Sequence, residues 1–203
     1  MEARILKKES EIISSKELLY DIYVRKMGWH PWLTTNKSNI QVAEGINGKM
    51  LIDDFDDCSL ICGIFEGNEL QARVRFIQGD IKSIELSRYK CLDFPFEHNG
   101  YFFEFNRFAS RDVRYVSNII CFLLKKFFEL NKNIDSTLIT ATTIQSFQRL
   151  YYSLSLHKSI QFKYEVTDDI PATIFFANDI NKLLAHFKKR CKKSRGQPRM
   201  ALT

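Results

Sequence analysis

No other stretch constrains this chain as tightly as Tyr101-Phe-Phe-Glu-Phe-Asn-Arg-Phe-Ala-Ser-Arg-Asp112. Aromatic residues crowd its first eight positions and favour a pleated, half-buried backbone, so the pattern predicts a strand. Strict alternation puts Phe102, Glu104, Asn106 and Phe108 on one face and Tyr101, Phe103, Phe105 and Arg107 on the other. A carboxylate inside such an apolar run is expensive to bury unless it is paired or has a chemical task. Glu104 and Arg107 therefore mark the place where a function is to be sought.

The rest of the chain sets the frame for that strand. With 203 residues, 45% hydrophobic and 27% charged, length predicts one domain with a substantial core. Eight glycines and four prolines leave little room for linkers. No apolar run approaches the roughly 20 residues of a membrane span, and Met1 to Lys8 lacks the apolar core of a secretory signal. Five scattered cysteines, Cys58, Cys62, Cys91, Cys121 and Cys191, read as reduced thiols of a cytoplasmic protein. They supply no zinc set, because no second Cys or His pair accompanies Cys58 and Cys62.

The net charge of +6 belongs to the C-terminus. Lys188, Lys189, Arg190, Lys192, Lys193, Arg195 and Arg199 carry it, and without them the basic and acidic residues nearly cancel. The expected division is a domain over residues 1–187 and a basic tail over 188–203. Such a tail is a solvated terminus, a dock for an acidic partner, or a nucleic-acid patch. Nucleic acid is the weakest of the three, because no recognition helix or stacking platform accompanies the charge.

Periodicity places the remaining elements. Ser14 or Ser15 can cap a helix from about Lys16 to Met27, ended by Gly28, followed by a long loop from Trp29 to Leu51. Strands Ser59–Glu66 and Glu69–Gln78 flank a Gly67-Asn68 hairpin turn, with another short strand expected within 81–92. After the opening strand come a helix from about Ser117 to Asn131, a strand over 137–143, and a helix over 145–156. Strands over 160–166 and 172–177 and a last helix over 179–193 complete the chain. Alternation of this kind gives an α/β fold, a mixed twisted sheet flanked by helices. Two strand-then-helix steps predict parallel neighbours in its second half.

Two charged groups accompany Glu104 and Arg107. Asp53-Asp-Phe-Asp-Asp57 holds four acids in five positions, a pattern that fits a solvated turn as well as a site. Arg73 and Arg75 share one face of their strand, which by itself reads as an exposed face with surface ion pairs.

Four segments in order carry a family resemblance: Leu18-Leu-Tyr-Asp-Ile-Tyr-Val-Arg-Lys-Met-Gly-Trp29, Asp53-Asp-Phe-Asp56, Val74-Arg-Phe76 and Glu104-Phe-Asn-Arg-Phe108. Over roughly residues 15–155 the chain resembles the acyl-homoserine-lactone (autoinducer) synthases, built on the GNAT acyltransferase fold. The positions matching that family's functional signature are Tyr23, Trp29, Asp53, Asp56, Arg75, Glu104 and Arg107. Two features depart from it. Leu19 stands where the family has an arginine, and the loop between Trp29 and Asp53 is about twice the usual length. That loop, with Arg149-Leu-Tyr-Tyr-Ser-Leu-Ser-Leu156, is similar to the related N-acyl amino acid synthases.

The resemblance implies transfer of a fatty acyl group to an α-amine. Glu104 is the implied proton acceptor, with Tyr23, Trp29, Asp53, Asp56, Arg75 and Arg107 binding the acceptor. Phe102, Phe103, Phe105, Leu123, Phe127, Thr140, Phe147 and Leu150 are candidates for an acyl-chain pocket. A general GNAT acetyltransferase has a glycine-rich turn for the coenzyme A pyrophosphate, but Ser110 to Asn118 contains no glycine. This favours an acyl carrier protein, whose phosphopantetheine Arg111 and Arg114 can contact; coenzyme A is the other donor. Acyl carrier proteins are acidic, so the basic tail is a matching dock. No permanently bound cofactor and no metal are expected. An acyl-homoserine-lactone synthase using S-adenosylmethionine, or a non-catalytic acyl-binding module of the same fold, are the alternatives.

Overall fold

The computed structural model describes residues 2–30, 38–88, 100–112, 136–142, 145–153, 155–162 and 172–177, with Tyr115, Ile119, Phe122 and Leu183. Leu123, Phe127, Arg114 and the basic tail lie outside the described residues, as does most of the helix expected after Ser117.

Seven strands form one sheet: β1 (Glu2–Ile5), β4 (Leu60–Glu66), β5 (Glu69–Asp80), β6 (Tyr101–Ser110), β7 (Thr137–Thr142), β8 (His157–Phe162) and β9 (Ala172–Ala177), in the order β1-β4-β5-β6-β7-β9-β8. Neighbours are antiparallel except β6 and β7, which are parallel. Only one of the two expected parallel steps therefore gives adjacent strands. The second, from β7 through α2 (Gln145–Ser153) to β8, is filled by β9, which inserts between them.

The first helix starts earlier than its serines suggest. α1 covers Glu9–Tyr20, with Lys8 in extended conformation before it and Glu9 and Glu11 in its first turn, where acids suit the helix dipole. Ser15 lies inside the helix and returns its hydroxyl to the Ile12 carbonyl at 2.7 Å. A π-helical turn, Asp21–Lys26, continues the helix, and Gly28 ends it at φ +69°. The expected long loop contains a hairpin of β2 (Gln41–Glu44) and β3 (Lys49–Ile52). Glu17 on α1 anchors the hairpin by accepting from the Asn47 backbone N–H at 2.6 Å and the Asn47 amide at 3.3 Å. Where a strand is expected within 81–92, the described residues form a 3₁₀ turn, Glu85–Arg88, and 89–92 lie outside them.

Both sheet faces are covered. On one, Leu18, Leu19, Tyr20 and Val24 pack over Ile61, Phe65, Leu70 and Ala109, so Leu19 is apolar core. On the same face, further along, Phe102 lies among Ile77, Ile84, Leu86, Ile139 and Ile174. The opposite face is aromatic: Phe76, Phe103 and Phe105 pack with Leu138, Tyr151 and Phe175. Tyr151 meets Phe105 edge-on at 5.5 Å between ring centres, a favoured arrangement for aromatic pairs. No helix among the described residues is long and apolar enough to cross a membrane.

Two irregularities in β6 create the site. Opposite Arg73 and Arg75, β6 supplies Ala109 and Asn106, one residue more than the two-residue spacing of β5 requires. The extra residue is a β-bulge, and Arg107 adopts φ +50°. Strict alternation fails there: Arg107 joins the face of Glu104 and Asn106, while Phe108 turns to the aromatic face against Phe147 at 5.3 Å. The second irregularity is a fork. The β6–β7 ladder runs from Phe102/Thr137 to Glu104/Ile139 and stops, although both strands continue. Thr140 reaches across with its hydroxyl to the Phe105 carbonyl at 2.8 Å.

Candidate active site

Open α/β sheets bind ligands where neighbouring strands diverge at their carboxyl ends. The fork between β6 and β7 is such a place, and the charged residues collect beside it. Arg75 projects from β5 with 1% exposure, and each of its guanidinium nitrogens is engaged. Nε donates to Asn106 Oδ1 at 2.9 Å and Nη2 to Glu85 Oε2 at 2.7 Å. Nη1 donates to Asp53 and lies 3.4 Å from Asp56 Oδ1. Arg107 also bridges Asp53, at 3.2 Å from Nε to Oδ2, and Glu85 through Nη2. The bulge makes this possible, since alternation alone would turn Arg107 away.

The loop after β3 divides its four acids by direction. Asp53 and Asp56 turn inward, whereas Asp54 is exposed and pairs with Arg88 at 2.6 Å. Asp53 Oδ1 accepts the Phe55 N–H at 3.0 Å, and Asp56 Oδ2 accepts the Asp53 N–H at 3.1 Å and Lys16 Nζ at 2.9 Å. Burial acts to raise the Asp53 pKa, but Arg107 and Arg75 overcome it and hold the group below its usual range.

Glu85 was not singled out from sequence, yet it joins the cluster together. Its carboxylate accepts from Arg75, Arg107, Asn106 Nδ2 at 2.7 Å and Ser38 Oγ at 2.5 Å, the four acceptor sites a carboxylate offers. The reasoning applied to Glu104 would have found it, because Glu85 is an acid between Ile84 and Leu86. Arg73 was misjudged as well. It and Arg75 lie on a buried face, not an exposed one.

Glu104 is 2% exposed and has a different setting from Glu85. It accepts the Leu86 N–H at 3.1 Å and Asn106 Nδ2 at 2.9 Å, without a direct guanidinium contact among the described residues. Burial, with the neighbouring charge of Glu85, pushes its pKa up to about 7 against the pull of these donors and of Arg75. A carboxyl near 7 is matched to moving a proton at neutral pH.

The π-helical turn carries Tyr23, and the wide turn lets the Trp29 N–H reach the Tyr23 carbonyl at 2.8 Å. Their rings meet edge-on at 5.4 Å, and the Arg107 guanidinium lies 5.8 Å from the Trp29 ring centre. Burial, with Glu85, raises the Tyr23 pKa despite Arg107 and Arg73 nearby. Tyr23, Trp29, Asp53, Asp56, Arg75, Glu104 and Arg107 are thus brought to one face of the sheet.

The pocket candidates divide between faces. Phe103, Phe105, Phe147 and Leu150 belong to the aromatic face, where burial raises the Tyr151 pKa although Thr140 bonds its hydroxyl. Phe102 is buried on the other face and shares no wall with them. Arg111 extends the β5–β6 ladder through its N–H to the Gln71 carbonyl at 2.9 Å, and its half-exposed guanidinium leans toward Glu69 at 3.6 Å.

No family model matches the sequence, and no curated protein matches it. Solved structures do match. FeeM, an N-acyl amino acid synthase from uncultured soil microbes, is 14% identical at TM-score 0.59, covering 91% of this chain and 93% of that one. MesI, a CoA-dependent acyl-homoserine lactone synthase, is 16% identical at TM-score 0.59, covering 93% and 94%. An acyl-CoA N-acyltransferase from Pseudomonas aeruginosa is 10% identical at TM-score 0.54, covering 86% and 97%. Identities this low speak for the fold: the chain is a single α/β domain with the GNAT-type acyltransferase fold.

Proposed function

We propose that this protein is an N-acyltransferase that moves a fatty acyl group from the phosphopantetheine thioester of an acyl carrier protein to the α-amine of an amino acid. The observation that carries this reading is Glu104, a buried carboxyl poised near pH 7 at the point where β6 and β7 part. An α-ammonium group must lose a proton before it can attack, and Glu104, directly or through a water, accepts it. The neutral nitrogen then adds to the thioester carbonyl. We assign the backbone N–H groups of the β6 bulge, at Arg107 and Phe108, to the developing oxyanion, since Ala109 is paired with Arg73 across the sheet. Addition forms the C–N bond, collapse of the oxyanion restores the carbonyl and breaks the C–S bond, and the second nitrogen proton leaves with the sulfur as free thiol. Arg75 and Arg107, fixed by Asp53, Asp56 and Glu85, hold the acceptor side rigid.

The aromatic face supplies the apolar wall for the acyl chain, through Phe103, Phe105, Thr140, Phe147 and Leu150, and we assign Leu123 and Phe127 to the same role from the sequence. Arg111 and Arg114 contact the single phosphate of phosphopantetheine, and the basic tail attracts the acidic carrier. The absence of glycine from Ser110 to Asn118 favours the carrier over coenzyme A as donor.

The test is turnover of the purified protein with acyl-carrier-protein or acyl-coenzyme A as donor. The acceptors are a panel of amino acids and S-adenosylmethionine, with products read by mass. N-acyl amino acids are the expected product; an acyl-homoserine lactone would move the assignment to the synthase that uses S-adenosylmethionine. Binding of acyl ligands with no product from any pair would replace the enzyme by a binding module. Glu104→Gln is expected to lower kcat by about 10²–10⁴-fold, and full turnover would remove the proton-acceptor role.

A further inference from the structure

Arg73 is a buried charge to which the acyl-transfer chemistry assigns no task. It lies mid-strand in β5 with 1% exposure, and among the described residues its Nε, Nη1 and Nη2 have no hydrogen-bond partner. A guanidinium carries five N–H donors, and burying such a group unpaired is strongly unfavourable. Burial, with Arg75 beside it, pushes its pKa down to about 10, which leaves it charged at neutral pH.

Against burial and Arg75, the groups that favour the Arg73 charge are Asp56, Tyr23 and Asp53. Both acids are bound elsewhere, Asp56 by Lys16 and the Asp53 N–H, Asp53 by Arg75 and Arg107. Across the sheet, Arg73 pairs with two small residues, Gly63 on β4 and Ala109 on β6. The Gly63 side is filled, since a Cβ there would stand 2.6 Å from Leu70 and 3.0 Å from Leu6. On the other side Ala109 directly follows the bulge, so Arg73 stands beside the proposed transfer centre.

We infer that Arg73 is the receptor for the α-carboxylate of the acceptor, and hence that the acceptor is an amino acid with a free carboxylate. This inference rests on the acyl-transfer reading above. The guanidinium fork matches a carboxylate through two parallel N–H···O bonds. A phosphate suits the place less well, because its second negative charge would sit near Asp53 and Asp56. An α-amino acid spans only about 2.5 Å from nitrogen to carboxyl carbon. A carboxylate on Arg73 therefore holds the amine beside the bulge, where the thioester carbonyl is attacked. An amine without a carboxylate leaves the buried cation unpaired and is rejected for that reason.

The experiment compares kcat/KM of the full chain for free amino acids, their methyl esters and their decarboxylated amines, and repeats the panel on Arg73→Met. The free acids are expected to lead by at least about a hundredfold. Arg73→Met is expected to shrink that lead to about threefold or less, with KM for the acyl thioester unchanged. Methionine removes the buried charge, so the melting temperature of the unliganded variant is expected to rise, which secures a folded sample. A preference for free acids that survives Arg73→Met overturns the inference. If no acceptor yields product, acyl transfer itself fails and ligand-dependent melting decides about Arg73. Free amino acids, and not their methyl esters, are then expected to raise the melting temperature of the parent protein and not of Arg73→Met. An equal response in both proteins, or none in either, overturns the inference.

Discussion

Arg73 and Arg75 stand two residues apart on one strand, on one face, each 1% exposed, yet they are opposites. Arg75 has Asp53, Asp56, Glu85 and Asn106 around it, and every nitrogen is engaged. Arg73 has no hydrogen-bond partner among the described residues. The difference separates two uses of a buried charge. Desolvation opposes both, and at Arg75 the fold itself offsets it with a complete set of acceptors. At Arg73 the described residues offer the charges of Asp53 and Asp56 but no hydrogen-bond acceptor, so a ligand is the natural complement. One arginine belongs to the scaffold of the site and the other, on the proposal above, to the binding of an anion.

Substitution should move the two in opposite directions. Arg75→Met leaves Asp53 and Glu85 buried with one cation fewer and is expected to lower stability by about 3–5 kcal/mol, measured by denaturant unfolding. Arg73→Met removes a charge that has no internal partner and is expected to raise stability by about 1–4 kcal/mol. Loss of stability of equal size in both variants would show that Arg73 is structural and would break the comparison.

The same contrast holds between two acids, with a smaller expected effect. Glu85 meets two guanidinium groups, whereas among the described residues Glu104 has the Leu86 N–H and the Asn106 amide as donors. Burial, with Glu85 nearby, raises Glu104 from 4.5 to about 7. Between those values the folded protein binds more protons than the unfolded chain, so stability must fall as pH rises. The contribution is complete below about 4.5 and lost above about 7. Activity runs the other way, increasing toward pH 7 and above as the base is freed. Melting scans across this window should show the decline in the parent protein and its absence in Glu104→Gln; a decline that persists would assign it to another group.

Much of this arrangement was legible beforehand. Aromatic alternation located β6, and the acid within it pointed to Glu104, because the cost of burying a carboxylate is visible in one dimension. The sheet order was only partly visible, since nothing local in 157–177 says that β9 enters between β7 and β8. The bulge was hidden for a related reason. Asn106-Arg107-Phe108 carries no glycine to announce φ +50°, and the register that demands it is held by β5. The sense of Arg73 was hidden too, because exposure of a strand face depends on what packs over it. Here α1 and the Asp53 loop do so, and both lie well before β5 in the sequence.

A control at the edge of the same loop isolates burial as the deciding variable. Asp54 follows Asp53 and is also ion-paired, accepting from Arg88 at 2.6 Å and Asn39 at 3.2 Å. These donors hold its pKa below the usual range, as Arg107 and Arg75 do for Asp53. Water already solvates Asp54, however, so its ion pair competes with hydration and is screened by salt. Asp54→Asn is therefore expected to leave the melting temperature unchanged within error at low and high salt, while Asp53→Asn lowers it clearly. If the two substitutions cost the same, burial would not be the deciding variable. The cost assigned to burying Arg73 without a hydrogen-bond partner would then lose its footing.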